Sequence, residues 1–305
     1  ANCEHDVSLA SAAGVADALW QTGYEVVRLT IDQHGTWLDG GGRPVGLTGA
    51  ACLIRRCDAL FPVVHGPRGE DGTLAALADL AGIPLVGSGV RAGALAMDKW
   101  VTKLVAGAVG VATAPGLLIT EPSYRWTHPV VVKPASAGSS HGVSLVAEES
   151  ALDRALAAAF TVDSRVLVED VVVGREIDLA VLGRPDGSRV VAPALEVLVD
   201  GLFDYDAKYV RPPQFVIPAP LDDVELKQLE DAAIAVYDAL GCSGLARVDF
   251  FLTLDGPFLN EVNTMPGFTE HSQVPQMFSA LGTTYPELVD LLVRDTLLLA
   301  GVRVA

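Results

Sequence analysis

The sequence predicts a mixed chain, α/β at its N-terminal end and α+β beyond it, and three observations carry that expectation. Strand-like and helix-like segments alternate through the first 88 residues, the pattern of a parallel sheet with helices on its faces. From Ser88 onward the chain changes to strand–loop–strand units set between helices. Further on, Asp255-Gly256 separates two long apolar runs, a strong hairpin signal. The composition suits a large interior: 305 residues, 50% hydrophobic and 19% charged, enough for one large core or several modest ones.

The first element is a helix, because Leu9, Ala12, Ala13, Ala16, Leu19 and Trp20 recur at helical spacing and Gly23 stops them. Parallel α/β domains ordinarily open on a strand, so a further strand is expected ahead of it. Residues 24–31 and 60–64 read as strands, 73–81 as a short amphipathic helix ended by Gly82, and 83–87 as a buried strand. A helix is expected at 98–109, then strands at 129–134 and 143–146 around a Gly/Ser loop. A helix at 150–160 leads to a strand at 165–169. The last third carries strands at 176–182 and 190–198, a polar segment at 200–213, a helix at 222–240, the hairpin, and a closing helix at 285–299. Pattern changes near 88 and 172 divide the chain into units 1–88, 89–172 and 173–305.

Charge and cysteine usage exclude several classes. With 38 acidic and 21 basic side chains the net charge is −17, which argues against nucleic acid or an anionic membrane as the partner. No apolar run approaches the ~18 residues of a membrane span, and the first residues lack a signal peptide's basic-then-apolar pattern. Cys3, Cys52, Cys57 and Cys242 form no CxxC or Cys/His metal spacing, as expected of reduced thiols in a cytoplasmic protein. Only five basic residues are lysines: Lys99, Lys103, Lys133, Lys208 and Lys227. In so Arg-biased a chain, each raises the question of why Arg would not serve.

The hairpin carries the most chemistry. Side chains alternate faces on a strand, so Arg247 shares one with Asp249, and Glu261 with Asn263. A turn centred near residue 255 sets Asp249 opposite Glu261 and Arg247 opposite Asn263. Two facing carboxylates on a buried sheet need a cation between them, and oxygen-only ligands select a hard ion such as Mg²⁺. Lys133 ends an apolar strand before Gly138-Ser139-Ser140-His141-Gly142, whose small residues let backbone N–H groups approach phosphate oxygens. That loop fits neither GxxxxGK[ST] nor GxGxxG, and it equally suits a plain hairpin. The segment Asp204-Tyr205-Asp206-Ala207-Lys208-Tyr209, between Gly201 and Pro212-Pro213, has the makings of a lid or of an ordinary exposed loop. His65-Gly66-Pro67-Arg68-Gly69-Glu70-Asp71-Gly72 follows a predicted strand and precedes a helix, where α/β sheets place ligands. His65 alone equally suits a structural histidine.

Taken together these stretches resemble the D-alanine:D-alanine ligase family of the ATP-grasp superfamily. In order, the carriers are Glu4-His5-Asp6-Val7-Ser8, the His65 segment, Ala96-Met97-Asp98-Lys99, Val132-Lys133-Pro134 with Gly138-Ser139-Ser140, and Gly174-Arg175-Glu176. The lid segment follows, then Gly244-Leu245-Ala246-Arg247-Val248-Asp249, the run from Asn260 to Thr269, and His271-Ser272. The resemblance implies a three-domain ATP-grasp fold, with ATP between the second and third domains. It puts Lys99, Lys133, Ser139 and Ser140 on the ATP phosphates, Lys208 reaching them from the lid, Glu169 and the backbone near Val172 on adenine, and Glu176 on ribose. Asp249, Glu261 and Asn263 would hold two Mg²⁺ ions, or Mn²⁺. Glu4, bonded with Ser139 and Tyr209, would take the first D-alanine's ammonium, with His65 lining that site. Ser272 would take the second D-alanine's carboxylate, and Arg247 with the Gly267 N–H the oxyanion. Gln273 stands where the family commonly has an apolar residue, implying a more polar second pocket; His141 and Arg68 are further departures. Lys103 and Lys227 receive no role. Tyr209 goes with an amine acceptor, so the implied reaction makes D-alanyl-D-alanine for peptidoglycan, with D-serine, D-lactate or another acceptor as alternatives and a homodimer as the implied assembly.

Overall fold

The structure, a computed structural model, describes residues 4–198 and 214–302. Helix α1 (His5–Gln21) opens the described chain and buries Val15, Ala18 and Leu19. A two-stranded antiparallel sheet follows, β1 (Leu29–Ile31) with β2 (Trp37–Asp39), then α2 (Gly46–Ile54) and α3 (Thr73–Ala81). Among the described residues, the parallel pairing expected here is a single bridge between Leu60 and Leu85. The apolar spacing at 24–28 and 61–64 has another source. Val26, Phe61 and Val63 pack against the core, so it records burial without a ladder.

The helix expected at 98–109 is α5 (Lys99–Ala108), and a helix that was not expected, α4 (Val90–Met97), stands directly before it. Asp98 between them is extended and caps α5 by accepting from the Val101 N–H at 3.1 Å. After β3 (Ala112–Thr113) come β4 (Gly116–Ile119), β5 (Val130–Pro134), β6 (Ser144–Val146), α6 (Leu152–Val162) and β7 (Val166–Asp170). These four strands form an antiparallel sheet ordered β4-β7-β5-β6. Val130, Val132 and Val168 pack with Leu156 and Ala159 of α6 in its core.

The larger sheet is built from β8 (Arg175–Gly183), β9 (Arg189–Val191), β10 (Leu195–Leu198), β11 (Gln214–Val216), β12 (Leu245–Thr253) and β13 (Gly256–Asn263). Its order is β11-β10-β8-β12-β13-β3, with β9 beside β8 and β3 joining parallel to β13. The strand expected at 190–198 divides into β9 and β10 at Ala192-Pro193-Ala194, since proline cannot donate to a ladder. Helix α7 (Asp223–Leu240) begins with a capping box from Asp222 and Glu225. It packs with α4 and α5 over one face, where Ile177, Leu179, Val248 and Phe250 are buried. The opposite face, carrying Ala180 and Leu182, is covered by α1, α8 (Gln273–Ser279) and α9 (Tyr285–Leu299). Further along that face, at Glu176 and Asp178, the covering helices end and a cleft begins.

Candidate functional site

The cleft has a volume of roughly 850 Å³ and lies between the two sheets. Its wall on the larger sheet is a row of carboxylates. Asp178 on β8 pairs in register with Asp249 on β12, and Asp249 with Glu261 on β13. Arg247 lies opposite Asn263, as the spacing predicted. The route to that register is a β-bulge. The turn pairs Thr253 with Gly256, and an unbroken ladder from there would set Asp249 opposite Asn260 and turn Glu261 into the core. A register shift between Asp249 and Phe250 absorbs Asn260 and brings Glu261 and Asn263 to the cleft.

Two buried carboxylates, Asp178 and Asp249, and the half-buried Glu261 meet two nearby cations. The Arg247 guanidinium grips Asp249 through Nε and Nη2, each at 2.7 Å, while Lys99 lies 3.1 Å from Glu261. Asn263 Nδ2 also donates to Asp249, at 3.0 Å. Burial pushes Glu261 up, but Lys99 and Arg247 outweigh it and hold the carboxyl at about 2. Asp178 is pushed well above its ordinary value by burial and then by Asp249, against the pull of Arg247. Its Oδ1 is buried with no hydrogen-bond partner among the described residues. Among those residues no three His, Cys, Asp or Glu side chains stand close enough to hold an ion by themselves. The set nevertheless suits a hard cation: its donors are oxygens, and its negative charge exceeds the positive charge beside it.

Lysines come from the opposing sheet and from α5. Glu169 on β7 is 3% exposed and accepts from two of them, Lys133 Nζ on β5 and Lys103 Nζ on α5, both at 2.6 Å. Burial raises the Glu169 carboxyl, yet the two ammonium groups outweigh it and carry it below its usual range. Lys103 therefore has a place that the sequence reading denied it. Its spacing from Lys99, four residues along one helix face, does not by itself report what that face meets. Lys99 Nζ also donates to the Ala137 carbonyl at 2.6 Å, tying α5 to the Gly/Ser loop. Val172 and Glu176 line the cleft beyond Glu169.

That loop joins β5 and β6 as an antiparallel hairpin and does more than turn the chain. Ser139 and Ser140 both adopt left-handed backbone conformations, φ 49° and 52°, which non-glycine residues hold only where the surroundings enforce them. Ser139 Oγ donates to Glu4 Oε1 at 2.7 Å. Gly138 makes room for this approach, since a Cβ there would lie 2.7 Å from Glu4 Oε2. Lys208 and Tyr209 lie outside the described residues.

His65 also lines the cleft, but it is 3% exposed and both its ring nitrogens are engaged, Nδ1 with the Met265 carbonyl at 2.8 Å and Nε2 with Ser11 Oγ at 3.0 Å. Burial pulls its pKa down, while Glu70 and the Met265 carbonyl outweigh that and raise it. Its segment folds tightly, because a Cβ on Gly69 would fall 1.7 Å from the Val64 carbonyl oxygen. Arg68 sits there at φ 71° and donates its N–H to Asp71 at 2.8 Å. Gly267 and Gln273 line the cleft. Ser272 stands behind Gly267, its Oγ accepting from the Thr269 N–H at 3.0 Å. Asp178, which the sequence reading passed over, lies two residues after Glu176 on one strand and so shares its face.

The chain matches two family models: "D-ala D-ala ligase N-terminus" over residues 43–88 and "D-ala D-ala ligase C-terminus" over residues 115–294. It is 40% identical to a D-alanine–D-alanine ligase of Nocardia farcinica over 96% of this chain and 94% of that one. It is 39% identical to one of Rhodococcus jostii over 98% and 95%. Among solved structures it resembles D-alanyl-alanine synthetase A of Vibrio cholerae, with TM-score 0.84, 28% identity and coverage of 97% and 96%. It also resembles the VanG D-Ala:D-Ser ligase of Enterococcus faecalis, with TM-score 0.81, 32% identity and coverage of 96% of each chain.

Proposed function

The chain belongs to the D-alanine–D-alanine ligase family, and from that premise we propose that it joins two D-alanines, with cleavage of ATP to ADP and phosphate, to give D-alanyl-D-alanine for peptidoglycan. The observation that supports this best is the two-walled cleft. Lysines face a row of carboxylates across it, and the Glu4–Ser139 pair closes one end.

In this reading Glu4 holds the first D-alanine's ammonium and so aims its carboxylate into the cleft. A carboxylate oxygen attacks the γ-phosphorus of ATP, the bond to the β-phosphate oxygen breaks, and ADP leaves behind an acyl phosphate. Lys99 and Lys133 meet the negative charge on the phosphates, joined from the lid by Lys208. Val172 and Glu176 face the nucleoside, with Glu169 fixed beside them by its two lysines. Asp249, Glu261 and Asn263 would hold Mg²⁺, two ions in the full reading, which neutralises phosphate charge when bound. The second D-alanine, its carboxylate at Ser272, then attacks the acyl carbon through its deprotonated amine. Arg247 and the Gly267 N–H stabilise the oxyanion, the bond to phosphate oxygen breaks, and the dipeptide and inorganic phosphate are released. Water must be kept from the acyl phosphate at this stage, and Tyr209 is the residue that the resemblance adds to the Glu4–Ser139 pair. The reading carries a homodimer and a cytoplasmic location, where ATP is supplied.

The test is ADP release with D-alanine alone, then with D-serine or D-lactate added, and products identified by mass. ADP together with D-alanyl-D-alanine is expected. A mixed product formed in preference would move the reading to another acceptor, and absence of ADP with every D-amino acid would overturn it.

A further inference from the structure

One side chain in the cleft is held at both ends of its amide by groups of opposite kind. Gln273, the first residue of α8, accepts through Oε1 from Arg247 Nη1 at 2.6 Å and donates through Nε2 to Asp178 Oδ2 at 2.6 Å. A guanidinium can only donate and a carboxylate only accept, so a single orientation of the amide satisfies both. Arg247 thus commits three of its five N–H groups, two to Asp249 and one to Gln273. Asp178 is 1% exposed, and its Oδ2 lies only 3.8 Å from Arg247 Nε. It is a second carboxylate competing with Asp249 for the same guanidinium. The Gln273 N–H occupies that oxygen, and the Gln273 carbonyl holds the far side of Arg247.

We propose that Asp178 and Gln273 form a positioning unit for Arg247, keeping its guanidinium on Asp249 and aimed at the cleft, and thereby setting how often the acceptor amine captures the activated carboxyl. The inference rests on the ligase reading above, in which Arg247 meets the oxyanion of the second step. Because Gln273 directly follows Ser272, the unit also ties the placement of Arg247 to the start of α8, where the acceptor's carboxylate is held. Neither residue needs to touch substrate for this. A positioning error of an ångström at a reacting centre is enough to cost ~10² in rate.

Three variants test it, read by kcat, by dipeptide formed per ADP released, and by KM for ATP. Gln273→Met keeps the length of the side chain and removes both hydrogen bonds; Gln273→Glu sets an acceptor against Asp178 where the Nε2 donor stood. Each is expected to lower kcat by about ten- to a hundredfold and to reduce dipeptide per ADP, with KM for ATP shifting less than about threefold. The double variant Asp178→Asn with Gln273→Glu exchanges donor and acceptor while preserving net charge. It is expected to recover most of the lost yield, a coupling that space-filling alone would not produce. The proposal is overturned if Gln273→Met keeps the parent's kcat and yield, or if the double variant is no better than Gln273→Glu alone. Failure of the ligase reading is separate, because there the parent protein itself releases no ADP with D-alanine.

Discussion

Glu169 shows at the scale of single residues how a buried charge is made tolerable, and where reading from sequence stops. A carboxylate 4% exposed in its side chain would be neutral without counter-charges; with Lys103 and Lys133 each at 2.6 Å it stays ionised. Lys133 was legible, because a lysine ending an apolar strand asks for an anion. Lys103 was not, because its partner comes from β7, far along the chain, and helical spacing does not report what faces the helix. Lys103→Met should therefore destabilise the protein by about 1–3 kcal/mol, measured by urea unfolding. Glu169 is shifted down in the folded protein, so the stability it contributes is present above its unfolded value of 4.5 and lost as pH falls through its lower folded value. The difference between parent and Lys103→Met should accordingly be full at pH 6 to 7 and shrink below about 4.5; a gap independent of pH would refute the pairing as its source. In the ligase reading Lys133→Arg should cut turnover by at least tenfold despite conserving charge, since a guanidinium fork does not fit a point contact between Glu169 Oε2 and a phosphate; steady-state kinetics decides it.

Elements were most legible where apolar periodicity and terminal signals coincide. The helices at 73–81 and 285–299 match α3 and α9 to the residue, because apolar periodicity and their caps agree. Of the short strands expected near the N-terminus, 24–31 is paired only over β1 (Leu29–Ile31), and 60–64 and 83–87 meet in one bridge, because a brief apolar run reports burial and not pairing. The hairpin lies between these cases: its facing pairs were correct, and the bulge that delivers them shows only as the three-residue step between the buried Leu259 and Val262. That bulge gives a sharp expectation. Deleting Asn260, the residue it absorbs, restores regular alternation and leaves Glu261 and Asn263 on the cleft face. Deleting Val262 instead forces Asn263 into a core slot beside Val248. The second deletion should cost roughly 2–4 kcal/mol more than the first, from an unsatisfied buried amide and a lost apolar side chain. Chemical denaturation of the two would show it, and equal destabilisation would mean that the ladder slips to accommodate either.

Across the whole molecule the cleft is a seam between independently packed parts. The four-stranded sheet has its own core with α6, and the larger sheet has one core on each face. The Glu4–Ser139 bond crosses that seam, since α1 belongs to the core shared with α9 while Ser139 rides on the β5–β6 loop. In the ligase reading a nucleotide held by Lys99, Lys133 and Glu176 draws on the two sheets and on α5. D-alanine at Glu4 draws additionally on α1, so the two ligands should stabilise the protein separably. At about a hundred times its dissociation constant each contributes about 2.7 kcal/mol, or some 5 °C in a chain of this size, at roughly 2 °C per kcal/mol. Gly138→Ala discriminates between them. Its added methyl meets only the mobile end of the Glu4 side chain, so folding is spared while the Glu4–Ser139 bond is pushed apart. In thermal unfolding, ATP should raise the midpoint of parent and variant alike, whereas the further rise on adding D-alanine should appear in the parent and fall by at least half in the variant. An equal D-alanine response in both would remove Glu4 from the substrate site and with it the view that this seam is where the first substrate is held.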